Sequence, residues 1–158
     1  MEKKNQIYEP DSVDLDIIRE LQKDSRQSIR EIASKVHRSP TPVFERVRRL
    51  ESHGIIRRYT LDLDMEKIGK GFTVFCNVSL RHISTDIHED FAAEMLKIPE
   101  VTECYNVSGD YDYMLKVQTP DMKSYRKFVT DCLGRIPVLD SVHSVFVMES
   151  IKDTPPVL

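Results

Sequence analysis

The segment SPTPVFERVRRL, at residues 39–50, combines a helix-start pattern with a dense run of charged side chains. Such residues could bind nucleic acid, because arginine can pair with guanine and glutamate can accept a hydrogen bond from cytosine. Val43, Val47 and Leu50 recur at i, i+4 and i+7, so they form one apolar stripe on a helix. The pattern predicts a helix with one buried side and one basic, outward side.

The outward side of this helix is the candidate DNA contact. Base contacts are assigned to Thr41, Glu45 and Arg49, and phosphate contacts mainly to the other polar residues. The alternative is a three-helix bundle with an ordinary solvated surface, since short motifs carry false-positive risk. The predicted DNA-binding residues are Ser39, Thr41, Pro42, Glu45, Arg46, Arg48 and Arg49.

The charge distribution also favours a nucleic-acid partner. The whole chain of 158 residues has a formal net charge of −3. Residues 25–59, however, hold nine Arg or Lys against three acidic residues, a net charge of +6. From residue 65 onward, ten basic residues face fourteen acidic ones, a net charge of −4. A basic patch confined to one segment is typical of a nucleic-acid contact, although ordinary surface salt pairing is the alternative.

A second chemically distinctive stretch is SGDYDYM, at residues 108–114. Its glycine permits a turn, its aspartates supply carboxylates, and its tyrosines supply flat, partly polar surfaces. A carboxylate beside backbone N–H groups can bind the α-amino and α-carboxylate groups of a free amino acid together. The alternative is a hairpin turn in which aspartate has its usual turn role. The candidate effector-binding residues are Ser108, Gly109, Asp110, Tyr111, Asp112 and Tyr113.

The same residues do not predict an enzyme. Asp110 and Asp112 alternate along the chain, and alternate residues of a strand point to opposite faces. No nucleophile–base arrangement, phosphate-binding glycine loop or metal-spaced His/Cys cluster accompanies them. The three cysteines, Cys76, Cys104 and Cys132, form no CxxC pair and are expected to be buried, reduced thiols. We therefore expect no enzyme activity, cofactor or metal.

Three helices are predicted to position the basic segment. The first begins after Asp11, with Asp14 in its first turn, where the helix dipole favours anions. The second begins at Ser28, and Glu31 completes a capping box. Ser39 caps the third helix. A proline next to this cap is tolerated, since the first N–H groups of a helix lack intrahelical partners.

The rest of the chain predicts an α+β protein with two domains. Residues 57–64 fit a strand or wing, and MEKIGKG, which follows, is typical of a hinge. The pattern then becomes β-α-β-β-α-β, a ferredoxin-like sandwich. Its first helix should bury Phe91, Ala92, Met95 and Leu96. The predicted divisions are a winged helix-turn-helix at 1–62, a hinge at 63–70, the sandwich at 71–152 and a tail at 153–158.

The stretches DSVDLDIIRELQKDSRQSIREIASKV and SPTPVFERVRRLESHGIIRRYTLDLD resemble the winged helix-turn-helix of the Lrp/AsnC (feast/famine) transcription regulators. The β-α-β-β-α-β part is similar to that family's C-terminal effector-binding domain, so the resemblance covers nearly the whole chain. One departure is His37 and Arg38, where the family usually has glycine and leucine. If His37 must adopt a positive φ, that conformation costs more than it would for glycine.

The resemblance implies a sequence-specific transcriptional regulator that binds double-stranded DNA as a dimer. Its effector is expected to be an amino acid held at the GDYDY turn, between dimers. Dimers would form through the sheets, at the β-rich stretch 72–80, and assemble further, often to octamers. The start MEKKNQIYEP lacks the apolar core of a signal peptide, and no apolar run is as long as a membrane span. A cytoplasmic protein without a membrane partner is expected.

Two other functions remain open at this level. The chain could be an architectural protein that wraps DNA without responding to an effector. It could also resemble the sirohaem decarboxylases, an enzyme class that shares both domains with these regulators. Those enzymes would need basic or histidine side chains around a haem-sized cavity, whereas the basic residues here concentrate in the third helix.

Overall fold

The computed structural model describes residues 8–82 and 84–154, which belong to two compact units. The first unit comprises the described residues up to Asp62 together with Asp153 and Thr154, and the second spans Leu63–Lys152. Helices α1 (Ser12–Lys23), α2 (Ile29–Lys35) and α3 (Pro40–Ser52) form the first unit. The second contains, in order, β1 (Phe72–Leu80), α4 (Thr85–Met95), β2 (Val101–Asn106), β3 (Tyr113–Thr119), α5 (Met122–Asp131), a short 3-10 helix (Leu133–Arg135) and β4 (Leu139–Phe146).

The predicted caps of the first two helices are confirmed. Asp11 and Ser28 each accept a hydrogen bond from the backbone of the third helical residue, and each forms a complete capping box. The start of α3 differs, because Ser39 is the N-cap but its side chain makes no capping hydrogen bond. Pro40 occupies the first helical position, where its missing N–H leaves no backbone hydrogen bond unmade.

The apolar stripes of the three helices meet in one small core. Fully or almost fully buried side chains come from all three helices: Ile17, Ile32, Ala33, Val43, Val47 and Leu50. The predicted buried side of α3 is therefore confirmed. Since this core fixes the rotation of α3 about its own axis, it also fixes which side chains of α3 face outward.

The turn between α2 and α3 contains a strained residue. His37 has a φ of 53°, the left-handed conformation in which side chains with a Cβ are disfavoured. It is the one non-glycine residue with a positive φ among residues 8–82 and 84–154. The positive φ considered for His37 is therefore observed. The chain adopts this turn without the glycine that would relieve the backbone strain.

Residues 57–64, which were predicted as a strand or wing, do not form a strand. These residues are neither helix nor strand, and the β-ladders of the described chain do not include them. A strand requires a hydrogen-bonded neighbour, and alternating sequence alone does not supply one. The segment instead carries exposed apolar side chains, among them Leu61 and Leu63, while the Tyr59 hydroxyl donates to Glu51 Oε1 at 2.9 Å.

The second unit is the predicted ferredoxin-like sandwich. Its four strands form one antiparallel sheet in the order β2-β3-β1-β4. Alternate residues of β1 and β3, such as Val74, Cys76 and Leu115, pack against the two helices. Phe91 of α4 and Phe128 of α5 complete this core. The interior of the unit therefore lies between the helices and one face of the sheet.

The other face of the sheet is only partly buried. Phe75 pairs with Lys116 on one side and with Val145 on the other, so these three side chains share that face. Asn77 and Met114 form the next pair along it. Helices α4 and α5 do not cover this face, because the residues packed around them belong to the opposite one.

Two smaller expectations for this unit are corrected. Phe91 and Met95 are buried as predicted, but Ala92 is exposed and Leu96 is 89% exposed. Leu96 keeps helical dihedral angles as the C-cap of α4, and the rotation of about 100° per residue turns it away from the side that Phe91 and Met95 bury. All three cysteines are unpaired, but only Cys76 is buried, while Cys104 lies exposed on the edge strand β2.

Candidate DNA-binding and effector sites

Helix α3 presents most of the predicted DNA-binding residues together. Its outward side forms an open concave surface whose lining includes Glu45 and Arg48. Ser39 and Thr41 lie exposed at the start of the same helix, outside that lining. The residues lining the concave surface are Pro42, Glu45, Arg46, Arg48, Arg49 and Ser52.

Arg48 is the basic side chain of this surface most available to a partner. It forms no salt bridge with any described residue, and its guanidinium carbon lies 5.8 Å from the centre of the Phe44 ring. Phe44 itself is 45% exposed. Sequence reasoning overlooked Phe44, although its position beside the apolar stripe and not within it was a signal of exposure.

Arg46 has a different environment from the one predicted. Its Nη1 lies 2.7 Å from Asp11 Oδ2 and 2.7 Å from Asp14 Oδ1, and its side chain is 26% exposed. The sequence assigned Arg46 mainly to phosphate, but this guanidinium already has two carboxylate partners within the protein. Since those partners lie in α1 and its N-cap, helical periodicity within α3 could not reveal them.

Asp14 is the central group of this cluster. It is 1% exposed and accepts hydrogen bonds from the Tyr8 hydroxyl, the Asp11 N–H and Arg46. Burial acts to raise the pKa of Asp14, but the hydrogen bonds from Tyr8 and Arg46 outweigh it and hold the pKa below its ordinary value. Asp14 is therefore ionised at neutral pH, and its paired charge is present in the interior of the first unit.

The candidate effector turn is held mainly through Asp112. The Asp112 N–H donates to the Val78 carbonyl at 2.9 Å, and its carbonyl accepts from the Val107 N–H at 3.0 Å. Its carboxylate Oδ2 accepts from the Leu80 N–H at 2.7 Å. Asn106 Nδ2 adds a bond to the Asp112 carbonyl at 3.0 Å. Asp112 thus ties the turn to the end of β1.

Tyr113 is a core residue. It is 5% exposed, and its ring centre lies 4.5 Å from that of Phe91. Its hydroxyl lies 2.7 Å from Nδ1 of half-buried His88 on α4. Tyr113, which was predicted to offer a flat, partly polar surface to an effector, begins β3 on the helix-facing side of the sheet. Tyr113 lies 25 residues from His88 in the chain, so the local pattern around His88 does not reveal this contact.

The remaining residues of the turn are more accessible. Ser108, Gly109 and Asp110 are exposed, and Gly109 has a φ of 129°. Half-buried Tyr111 lies with its ring 6.1 Å from that of His143 on β4. The structure therefore separates the six predicted effector residues into an exposed group and a pair, Asp112 and Tyr113, that is engaged within the protein.

Two general properties of the described residues bear on function. In the part of the chain from 8 to 154, with residue 83 left aside, no helix is long and apolar enough to cross a membrane. The same residues contain no cluster of three or more His, Cys, Asp or Glu side chains that could hold a metal ion.

Comparison with known protein families gives two matches that together span most of the chain. A model described as winged helix-turn-helix DNA-binding matches residues 10–57. A model described as the Lrp/AsnC ligand binding domain matches residues 73–157. The two matches coincide with the helical region and the ferredoxin-like region.

Individual relatives agree with these matches. The leucine-responsive regulatory protein of Salmonella typhimurium is 42% identical over 144 residues, covering 91% of this chain and 88% of the relative. The leucine-responsive regulatory protein of Escherichia coli K12 is 41% identical over the same shares.

Solved structures show the same architecture. The complex of a Neisseria meningitidis transcriptional regulator with L-Met has a TM-score of 0.86 at 36% identity, covering 92% of this chain and 94% of that one. An AsnC family regulator from Agrobacterium tumefaciens has a TM-score of 0.88 at 36% identity, with shares of 94% and 97%.

Proposed function

Because this chain belongs to the Lrp/AsnC family of DNA-binding transcriptional regulators, we propose that α3 contacts operator DNA and that a free amino acid controls the assembly. The observation that carries the DNA part is the outward side of α3. Its exposed Glu45, Arg48 and Arg49 lie opposite a fully buried apolar stripe, so the helix can enter a major groove without disturbing its core.

Within that contact, we assign base recognition to Thr41, Glu45 and Arg49. Glu45 can accept from a cytosine amino group, and Arg49 can donate two hydrogen bonds to guanine. Ser39 and Arg48 are assigned to phosphates, because both lie exposed beside these residues. Pro42 lies on the same side and limits how closely the backbone of the first turn approaches the groove.

The DNA part is tested by selection from a random duplex library with the full chain. We expect a partly palindromic site with half-sites about one helical turn apart. A tight complex with a single half-site and no symmetric enrichment would contradict the dimeric arrangement. Absence of any duplex binding at low salt would contradict the DNA function itself.

We propose an amino acid as the effector. Relatives of this chain are named leucine-responsive, and the related Neisseria regulator forms a complex with L-Met. Exposed Ser108, Gly109 and Asp110, with Tyr111 beside them, offer N–H groups, a carboxylate and a ring near each other. In this proposal Asp112 and Tyr113 hold the turn in place, through the hydrogen bonds of Asp112 with Leu80 and of Tyr113 with His88.

A thermal-shift screen against the common amino acids tests this proposal. An effector that binds the folded chain raises the unfolding temperature by mass action, in a concentration-dependent way. If no amino acid shifts the transition or changes DNA binding, the favoured alternative becomes an architectural protein that wraps DNA without an effector. That alternative draws on one observation, namely that Asp112 and Tyr113 are already engaged in the fold.

We further propose a homodimer that assembles to higher oligomers, such as an octamer. The sheet face that carries Phe75, Met114 and Val145 is only partly covered in the described chain, and a second sheet could pack on it. Light scattering of the full chain at micromolar concentration tests this assembly, and a monomer would contradict it.

The proposal also includes a cytoplasmic location, with DNA as the partner, and no enzyme activity. The sirohaem-decarboxylase alternative would gather basic and histidine side chains around a haem-sized cavity. Here one group of basic side chains lies along the open surface of α3, and a second open surface, on α5, is lined by Lys123, Arg126 and Lys127 without a histidine. Incubation with sirohaem or haem, followed by an absorption spectrum, distinguishes the two, because a bound macrocycle would give a shifted Soret band.

A further inference from the structure

The buried carboxylate of Asp14 is unusual for a helix-start residue. Aspartate is almost never fully buried unless it is paired, and Asp14 is 1% exposed. Both of its oxygens are occupied: Oδ2 by the Tyr8 hydroxyl and the Asp11 N–H, and Oδ1 by Arg46. Capping of the helix requires only the contact with the Asp11 N–H. The contacts with Tyr8 and Arg46 therefore indicate a further role for Asp14.

Arg46 is bound tightly to this carboxylate and to its neighbour. Its Nη1 lies 2.7 Å from Asp14 Oδ1 and 2.7 Å from Asp11 Oδ2. To reach a phosphate, Arg46 would have to leave a buried carboxylate without its partner. An unpaired carboxylate in the interior is strongly destabilising, whereas an exposed ion pair with phosphate contributes little binding free energy. The balance therefore keeps Arg46 within the protein.

Arg49 is held by the same cluster in a looser way. Its guanidinium carbon lies 4.9 Å from the centre of the Tyr8 ring, and its Nη2 lies 3.9 Å from Asp14 Oδ1. Because the Tyr8 hydroxyl donates to Asp14, the ring on which Arg49 stacks is itself fixed. Arg49 remains 45% exposed, so its donors can still reach a base edge.

We infer that Asp14 is a positioning residue for the DNA contact: it withholds Arg46 from the phosphate backbone and, through Tyr8, orients Arg49 toward the bases. This inference rests on the proposed entry of α3 into the major groove. It gives the three arginines of α3 three different roles. Arg46 is internal, Arg49 is oriented toward bases, and Arg48 contacts phosphate.

The salt dependence of DNA binding separates these roles. Each phosphate contact adds about 0.9 to the slope of log K against log salt concentration, because it releases condensed counterions. Arg48→Met should therefore lower the slope by about one contact. Arg46→Met should leave the slope as in wild type, although both substitutions remove one positive charge from the same helix.

Asp14→Asn gives the most selective result. Loss of the buried charge leaves Arg46 paired only with the half-exposed Asp11, and an exposed ion pair contributes little. Arg46 should then be free for phosphate, so the slope should rise by about one contact and binding to random DNA should strengthen. Sequence preference should fall, since Arg49 is no longer oriented. General damage to the fold would weaken binding and could not raise the slope.

Asp16→Asn is the matched control for Asp14→Asn. It removes an equal charge from the same helix, but Asp16 is an exposed partner of Arg19 and does not contact Arg46. The double variant Asp14→Asn/Arg46→Met removes the buried charge together with its arginine, and only the half-exposed Asp11 carboxylate loses a partner. It should restore the wild-type slope, and it still tests the inference if either single variant fails to fold.

The measurement uses the full chain, a random-sequence duplex of fixed length and a duplex selected by the wild-type protein, both titrated over a series of NaCl concentrations. Circular dichroism establishes that each variant is folded at the assay temperature. Three results would overturn the inference. Arg46→Met could lower the slope, folded Asp14→Asn could give a slope no steeper than that of Asp16→Asn, or the slope of the double variant could be shallower than that of wild type. If wild type binds no duplex at all, the proposed DNA function fails instead.

Discussion

The outward side of α3 and the turn between β2 and β3 were both predicted as sites, yet their side chains have different partners. On α3, Glu45 and Arg48 extend outward from a helix whose opposite side is buried. In the turn, the carboxylate of Asp112 is bonded to the Leu80 N–H, and Tyr113 packs in the core. In this protein the outward polar side chains of α3 remain available, with the exception of Arg46, whereas Asp112 and Tyr113 of the turn are engaged within the fold.

The largest expected effect concerns Arg49. Arg49→Ala should cost about 1–3 kcal/mol of binding to the selected site and should relax its specificity, since a bidentate base contact is lost. The unfolding temperature should change little, because Arg49 is half exposed and lies at the edge of the Asp14 cluster. Binding titrations on the selected and the random duplex measure both the affinity for the selected site and the specificity. The matched control is Arg48→Ala, which should weaken binding to the two duplexes about equally. If Arg49→Ala also weakened both equally, Arg49 would contact only the phosphate backbone of the DNA.

The next effect concerns Asp112 and falls on stability. Asp112→Ala should destabilise the second unit by about 1–2 kcal/mol, because the Leu80 N–H loses its charged acceptor in a half-buried position. Half-site DNA affinity should not change. Denaturant unfolding followed by circular dichroism gives the free energy of unfolding. A variant as stable as wild type would mean that the hydrogen bond between Asp112 and Leu80 contributes nothing to the free energy of unfolding. The carboxylate of the turn would then be as available to a ligand as the outward side chains of α3.

A smaller effect is expected at the strained turn before α3. His37→Gly should stabilise the first unit by about 0.5–1 kcal/mol, because relief of the left-handed conformation exceeds the added entropy of the unfolded glycine chain. Arg38→Gly is the control at the adjacent position, where φ is not positive and glycine should destabilise instead. Denaturant midpoints of the two variants decide the sign. Equal destabilisation by both would show that His37 contributes contacts worth more than its strain.

The smallest stability effect is expected at Asp110. Asp110→Ala should change the free energy of unfolding by less than about 0.5 kcal/mol, because the side chain is exposed. If the exposed part of the turn binds the effector, this variant should nevertheless lose the amino-acid response found by thermal shift. An undiminished response would place the effector elsewhere and leave the turn with a structural role only.

Much of the first unit followed from local rules. The N-cap at Asp11, the capping box at Ser28 and the buried series of Val43, Val47 and Leu50 were all predicted. Each depends on residues within one or two helical turns, where the geometry of 3.6 residues per turn leaves little freedom. The ferredoxin-like order of strands and helices followed in the same way from alternating and helical periods. By contrast, the sequence left open whether residues 57–64 form a strand or a wing, because a strand also needs a hydrogen-bonded neighbour from elsewhere in the chain.

The amino-acid sequence by itself determined which side of α3 is buried and which elements form the second unit. Only the tertiary structure decided the partners of individual polar groups. Arg46 meets Asp14, 32 residues earlier, and the Leu80 N–H meets Asp112, 32 residues later. Periodicity describes a side chain's direction relative to its own element, whereas a hydrogen bond also depends on what another element places there. For that reason the sequence identified a basic helix, and the fold determined which of its arginines remain available to DNA.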